Sequence, residues 1–140
     1  MKLQDDEYCF ACGEKNPIGL KLKFDFPDDI IEFKFTPQKE HQGWADIIHG
    51  GILATLMDEA MAQIIIHRGY FGVTSGMEIR FLRPAKVEEE LTISGEIKSI
   101  EGKKINVISK IVNTKGKTVA SSKGVYILKT EYLDYRKMGG

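Results

Sequence analysis

The chain has 140 residues, 42% hydrophobic and 29% charged, the profile of an ordinary globular domain able to bury a core without staples. Its 20 Lys and Arg balance 20 Asp and Glu, so no global basic field recruits nucleic acid or an anionic membrane. No apolar run reaches membrane-spanning length, the start MKLQDDEYCF lacks a signal-peptide core, and two closely spaced cysteines fit a reduced, cytoplasmic setting.

In chain order, residues 1–19 read as irregular: Cys9-Phe-Ala-Cys12-Gly13, Asn16-Pro17 and Gly19 are turn chemistry. Alternating Leu20, Leu22, Phe24 and Phe26, then Pro27-Asp28-Asp29, then Ile31, Phe33 and Phe35 predict a hairpin with one buried face. The stretch from Thr36 to Ile48 reads as a loop long enough to be functional. A helix is expected from Gly50 to about Arg68, stopped by Gly69, with His67 and Arg68 where positive charge suits the helix dipole. Four strands follow, at Val73–Leu82, Glu90–Ile100, Lys104–Asn113 and Thr118–Lys129, with tight turns at Glu101-Gly102 and Lys115-Gly116. The tail 130–140 reads as loose. This is an α+β plan in one domain spanning 1–140, a single antiparallel sheet curled around one helix.

The helix carries the chemistry. Apolar residues from Ile52 to Ile66 cover all its sides, more than one sheet face can bury, so a second subunit is expected to complete the cover. Two carboxylates sit inside it, adjacent and therefore about 100° apart. Glu59 belongs to a polar stripe with Thr55 and Gln63, which faces solvent, a loop or a partner. Asp58 has Ala54, Met61 and Ala62 around it, a lone carboxylate on an apolar face. An ionised group there needs pairing or a catalytic reason. At the helix start, unpaired amides and the positive dipole end suit a developing oxyanion, and Gly50 and Gly51 let the backbone approach a ligand closely.

His49 and Asp58 are nine residues apart, about two and a half turns, too far for contact within one chain. His49 reads as an orienting group at the helix start. Cys9 and Cys12 make half of a zinc-ribbon signature; with no second pair, no metal site is expected, although two chains, or His41, would be the ways to complete one.

His49-Gly50-Gly51, then Leu56-Met57-Asp58-Glu59-Ala60 with its acidic residue seven positions after the second glycine, and MEIRFLRPA from Met77 resemble the hotdog-fold acyl-CoA thioesterases of the phenylacetate-degradation (PaaI-like) branch. The N-terminal CFACGEKNPIGLKLKF and the loop EHQGWADIIHGG are similar to that group too, so the resemblance runs from Cys9 to about Lys129. It implies a curved antiparallel sheet around one long helix, hydrolysis of an acyl-CoA to acid and CoA without a cofactor, and a homodimer or a homotetramer made of two dimers, with sites at the subunit interface. It places the family's helix carboxylate, nucleophile or general base, on Asp58. The polarising amide falls on Gly50 or Gly51, with Gly51 favoured, and the water-orienting hydroxyl on Thr74, with Ser75 beside it. Where some relatives carry an amide side chain before His-Gly-Gly, this chain has Gly43, which leaves Gln42 or His41 to stand in.

Arg80, Arg83, Lys86, Lys103 and Lys104 gather near strand ends and suit the phosphates of coenzyme A, Arg83 and Lys86 first. Trp44 is a candidate for the acyl pocket. The competing readings are a non-catalytic acyl-CoA-binding module and a hotdog dehydratase working through a His with an acidic residue.

Overall fold

The helix forms where its end signals put it. In the computed structural model, which describes residues 4–129, α1 spans Gly50–His67. His49 is its N-cap, its Nδ1 accepting the Gly51 N–H at 2.8 Å. At the other end Gly69 adopts φ +93°, a left-handed conformation that glycine alone takes without penalty. Its N–H donates to the Ile66 carbonyl and that of Tyr70 to Ile65, which closes the last turn. The expectation for the tail 130–140 lies outside the described residues.

Among the described residues seven strands accompany the helix: β1 (Ile31–Phe35), β2 (Gln42–Trp44), β3 (Ile47–Ile48), β4 (Gly72–Phe81), β5 (Leu91–Glu101), β6 (Lys104–Val112) and β7 (Thr118–Leu128). Five of them form one antiparallel sheet in the order β1-β5-β6-β7-β4. The four strands expected after the helix are all present, within one residue at each end.

One face of α1 lies on this sheet through Leu53, Leu56, Met57, Ala60, Met61, Ile64 and Ile65, the three-and-four spacing of a buried stripe. They meet Ile31, Phe33, Leu91, Ile93, Ile105, Val107 and Ile111 in one core. Small residues on the sheet make the close seat possible: a Cβ on Gly124 would stand 2.9 Å from Met61 Sδ. Ile52, Ala54, Ala62 and Ile66 remain half-buried, so the apolar surface on the far side of the helix is incompletely covered by the described residues.

Two expectations are corrected. Leu20 to Phe26 is not a strand paired with β1; a single bridge joins Asp25 to Glu32. Leu20 and Leu22 are buried as their alternation requires, yet Lys21 between them takes φ 54°, and their N–H groups donate to the Phe10 and Ala11 carbonyls. The segment therefore packs on the N-terminal turns, and β1 pairs through β5 instead. The predicted loop 36–48 contains a one-turn 3-10 helix at Lys39–His41 and the β2–β3 hairpin, closed by Asp46 at φ 61°. Its backbone is fastened to the connection between β4 and β5 by Ile48 N–H donating to the Ala85 carbonyl.

Candidate active site

Asp58 and Glu59 point to different parts of the molecule, as their helical offset demands. The Asp58 carboxylate turns toward β4 and β7. Its Oδ1 accepts the Tyr126 hydroxyl at 2.7 Å and the Thr74 hydroxyl at 3.2 Å. Among the described residues, its Oδ2 has no hydrogen-bond partner. Asp58 is therefore neither bare nor sealed: one oxygen is oriented and the other is available. This is a geometry for a base or nucleophile whose direction of attack is set by its neighbours.

Thr74 stands directly across from Tyr126 in the β4–β7 ladder, and the register slips between Thr74 and Gly76. That bulge re-aims the side chain beside it toward the helix. Ser75 falls within the bulge and is exposed, with no bond to Asp58. Of the two hydroxyls, Thr74 is the one that reaches the carboxylate.

Tyr126 is the residue that reading the sequence missed. It lies 1% exposed on the inner face of β7, and its hydroxyl also touches the Asp58 carbonyl at 3.1 Å. A tyrosine on a buried strand face must find a partner for its hydroxyl, and that was the available signal. Burial first and the Asp58 charge second push its ionisation well above the ordinary tyrosine range. Because the folded-state value is raised, the stability Tyr126 contributes is fully present below pH about 10 and is lost as pH rises further. Tyr126→Phe should lower stability by about 1–3 kcal/mol near neutrality and flatten the alkaline fall, measured by urea unfolding as a function of pH.

The helix start is organised by His49. With Nδ1 occupied as an acceptor, a neutral His49 carries its proton on Nε2. The Gly51 amide, favoured above as the polarising donor, is engaged by that contact. Among the described residues the Gly50 N–H has no acceptor, which makes it the free donor at the dipole's positive end. Close packing explains two glycines here. A Cβ on Gly51 would lie 3.0 Å from His49 Nδ1, and one on Gly43 would lie 3.1 Å from His49 Cα. Gly43 stands at a point where His49 leaves little room for a side chain. Gln42 does not fill in toward the site: its Oε1 accepts the Asp46 N–H at 2.9 Å and closes the hairpin. His41 is likewise turned away, its Nδ1 accepting the Gln38 N–H and its ring tilted against Phe35.

A groove of about 330 Å³ opens beside Gly50, lined by Ile48, Leu53, Phe81, Leu82 and Arg83. Phe81 and Leu82 are more than half exposed, and Trp44 on β2 is 81% exposed, so none of the three is core. Arg83 is anchored at the groove by donating to the Thr118 carbonyl at 2.7 Å, and among the described residues its other N–H groups have no hydrogen-bond partner. Lys86, three residues further along the chain, is exposed, its backbone bridged to Ile47. The expected basic cluster is split, however. Arg80 pairs with Ser121 and Lys104 with Ile127, six residues apart along β7. That puts Lys103 and Lys104 roughly 20 Å from Arg80, at the opposite end of the sheet.

Glu59 faces the N-terminal turns, which selects the loop among the surroundings open to its stripe. Gln63 donates to its Oε1 at 2.8 Å, while Thr55 bonds back to the Gly51 carbonyl. Cys9 Sγ, Cys12 Sγ and a Glu59 carboxylate oxygen lie within 4.8 Å of one another. Burial and then the Glu59 charge push the Cys12 thiol up.

An antiparallel sheet wrapped on one long helix is the hotdog fold. The chain belongs to the Thioesterase superfamily, whose sequence model matches residues 45–120, more than half of it. It is 37% identical over 70 residues to acyl-coenzyme A thioesterase 13 of Mus musculus, covering 49% of each chain. It is 38% identical over 77 residues to acyl-coenzyme A thioesterase PaaI of Escherichia coli, covering 54% of each. The chain thus spans about half the length of the curated relatives it matches. Among solved structures, the E. coli PaaI protein superposes with a TM-score of 0.74 at 25% identity, over 79% of this chain and 80% of that one. A Streptococcus pneumoniae thioesterase solved with coenzyme A gives 0.73 at 23% identity, over 77% and 88%.

Proposed function

We propose that this protein hydrolyses an acyl-CoA to a free carboxylic acid and coenzyme A, with Asp58 as its catalytic carboxylate. The observation that carries this reading is the Asp58 carboxylate, with Oδ1 held by Tyr126 and Thr74 and Oδ2 without a partner among the described residues. Its relatives' names supply the substrate class: acyl-coenzyme A thioesterases in mouse and E. coli. Oδ2 either takes a proton from a water that attacks the carbonyl carbon, or attacks that carbon itself. The second route forms a mixed anhydride that water then hydrolyses to the free acid and the restored carboxylate. Either way the C–S bond breaks. CoA leaves as a thiolate that picks up a proton. In both routes the carbonyl oxygen gains charge, which the Gly50 N–H and the helix dipole receive.

Gly50 and Asp58 are eight residues apart on one helix, about 12 Å along its axis, too far to act on one carbonyl from the same chain. A site pairing the Gly50 of one protomer with the Asp58 of another resolves this. Two further features support a homodimer, or a tetramer built from two dimers: the half-buried apolar residues of α1, and β4, ten residues long at the sheet edge. Sedimentation equilibrium at micromolar concentration should return at least twice the 15.8 kDa chain mass. A monomer with full turnover would refute the shared site.

No helix among the described residues is long and apolar enough to cross a membrane. The cytoplasm is the setting we assign, where Cys9 and Cys12 stay reduced. Arg83 lines the groove beside Gly50, Lys86 follows three residues later, and both suit the nucleotide phosphates. Arg83→Ala should raise KM for CoA esters with kcat little changed, and the effect should shrink in high salt. An equal loss with a short thioester lacking the nucleotide would remove Arg83 from this role. The decisive experiment is release of free thiol from a panel of short, long and aromatic acyl-CoAs. Turnover establishes the enzyme; tight binding without thiol release would make the protein an acyl-CoA-binding module.

A further inference from the structure

We infer that Cys9, Cys12 and Glu59 form a site for a borderline-soft divalent cation, zinc first, that fastens the N-terminal turns to the helix. The two Sγ atoms and a Glu59 oxygen, all half-buried, lie within 4.8 Å of one another. Ligand atoms around tetrahedral zinc sit roughly 3.5–3.8 Å apart, so closing the site asks for about 1 Å of side-chain movement. Two thiols and a carboxylate are donors that zinc accepts, and a water completes four-coordination where the protein gives three ligands.

The loop is built to present its sulfurs. Cys12 N–H donates to Cys9 Sγ at 3.4 Å, and Gly13 N–H donates to the Cys9 carbonyl at 2.8 Å. A Cβ on Gly13 would lie 2.4 Å from Cys9 N, so only glycine permits this turn. Gln63 steadies the third ligand and lies 4.0 Å from Cys12 Sγ, an outer contact of the kind that orients metal ligands. Among the described residues Glu59 has no salt bridge. A half-buried carboxylate facing two thiols with no cation beside it is a cluster that a divalent ion completes, the thiols releasing their protons to solvent as it binds. The cysteine count gave only half a signature because the third ligand comes 47 residues after Cys12, from the helix.

The test is a titration of the reduced full chain with Co²⁺ followed by Zn²⁺. The expected result is one cobalt per chain, with thiolate-to-cobalt charge-transfer absorption and the visible bands of a tetrahedral site, all displaced by zinc. Cys12→Ser should abolish the charge-transfer band. Glu59→Gln should weaken zinc binding about tenfold or more while its metal-free circular dichroism stays that of the wild type. Zinc should raise the wild-type melting temperature, and raise it less in Glu59→Gln. No charge-transfer band at one equivalent would overturn the proposal, as would zinc affinity unchanged by Glu59→Gln. So would half a metal per chain with four-thiolate intensity, which would assign the ion to two cysteine pairs from two chains. If Cys12→Ser does not fold, the wild-type stoichiometry and Glu59→Gln still decide.

Discussion

Asp58→Asn should lower kcat by about 10²–10⁴-fold, the size of a lost acid/base contribution. The substitution keeps the shape of the side chain, and its carbonyl oxygen still accepts from Tyr126 and Thr74, so the fold should survive. What disappears is the charge and basicity of the free oxygen. Unfolding midpoints close to wild type, with kcat collapsed and KM nearly unchanged, would place the loss in the chemical step. Glu59→Gln is the matched control one residue away. Its side chain points to Cys9 and Cys12 rather than to Thr74 and Tyr126, so it should leave kcat within a few-fold of wild type. If Asp58→Asn retains near-wild-type turnover, this site is not the catalytic one. If Glu59→Gln alone abolishes activity, the chemistry lies on the other face of the helix.

Gly50→Pro should cost about 10²–10³-fold in kcat, the usual loss when one oxyanion donor is removed. It deletes a single N–H and little else. Proline is favoured at the first helical position, where its fixed φ suits the helix and the missing donor breaks no intrahelical bond. The preceding residue is already compatible: His49 has φ −60° and ψ 133°, within the region a residue before proline prefers. There is also room, since a Cβ on Gly50 would meet Phe81 at an ordinary 3.6 Å. Gly50→Ala keeps the amide and should keep most of the activity. Full turnover in Gly50→Pro would return the donor role to Gly51, released from His49.

Local sequence determined a great deal here. The apolar helix, its glycine stop and the four strands that follow are local patterns, written in periods of 3.6 and 2 and in turn residues such as Gly69 and Gly102. The odd carboxylate was also legible, because Asp58 breaks an apolar face that gives it no local partner. Leu20 to Phe26 shows the limit of such patterns. The alternation correctly buried Leu20 and Leu22, but period alone does not say whether backbone amides pair with β1 or with the N-terminal turns.

Tertiary structure decided everything that depended on distance across the chain. Tyr126 meets Asp58 from 68 residues away, through the β4–β7 register and the slip beside Thr74. The basic residues looked like one group in sequence, yet antiparallel pairing sends Lys103 and Lys104 to the far end of the sheet from Arg80. Which glycine offers a free amide depended on where His49 pointed, a rotamer that no spacing reveals. Glu59 found two thiols because Leu20 and Leu22 pull the N-terminal turns into the core, and burial brings the cysteines with them. Secondary structure follows from neighbours a few residues apart; a site follows from which distant side chains the hydrophobic core forces together.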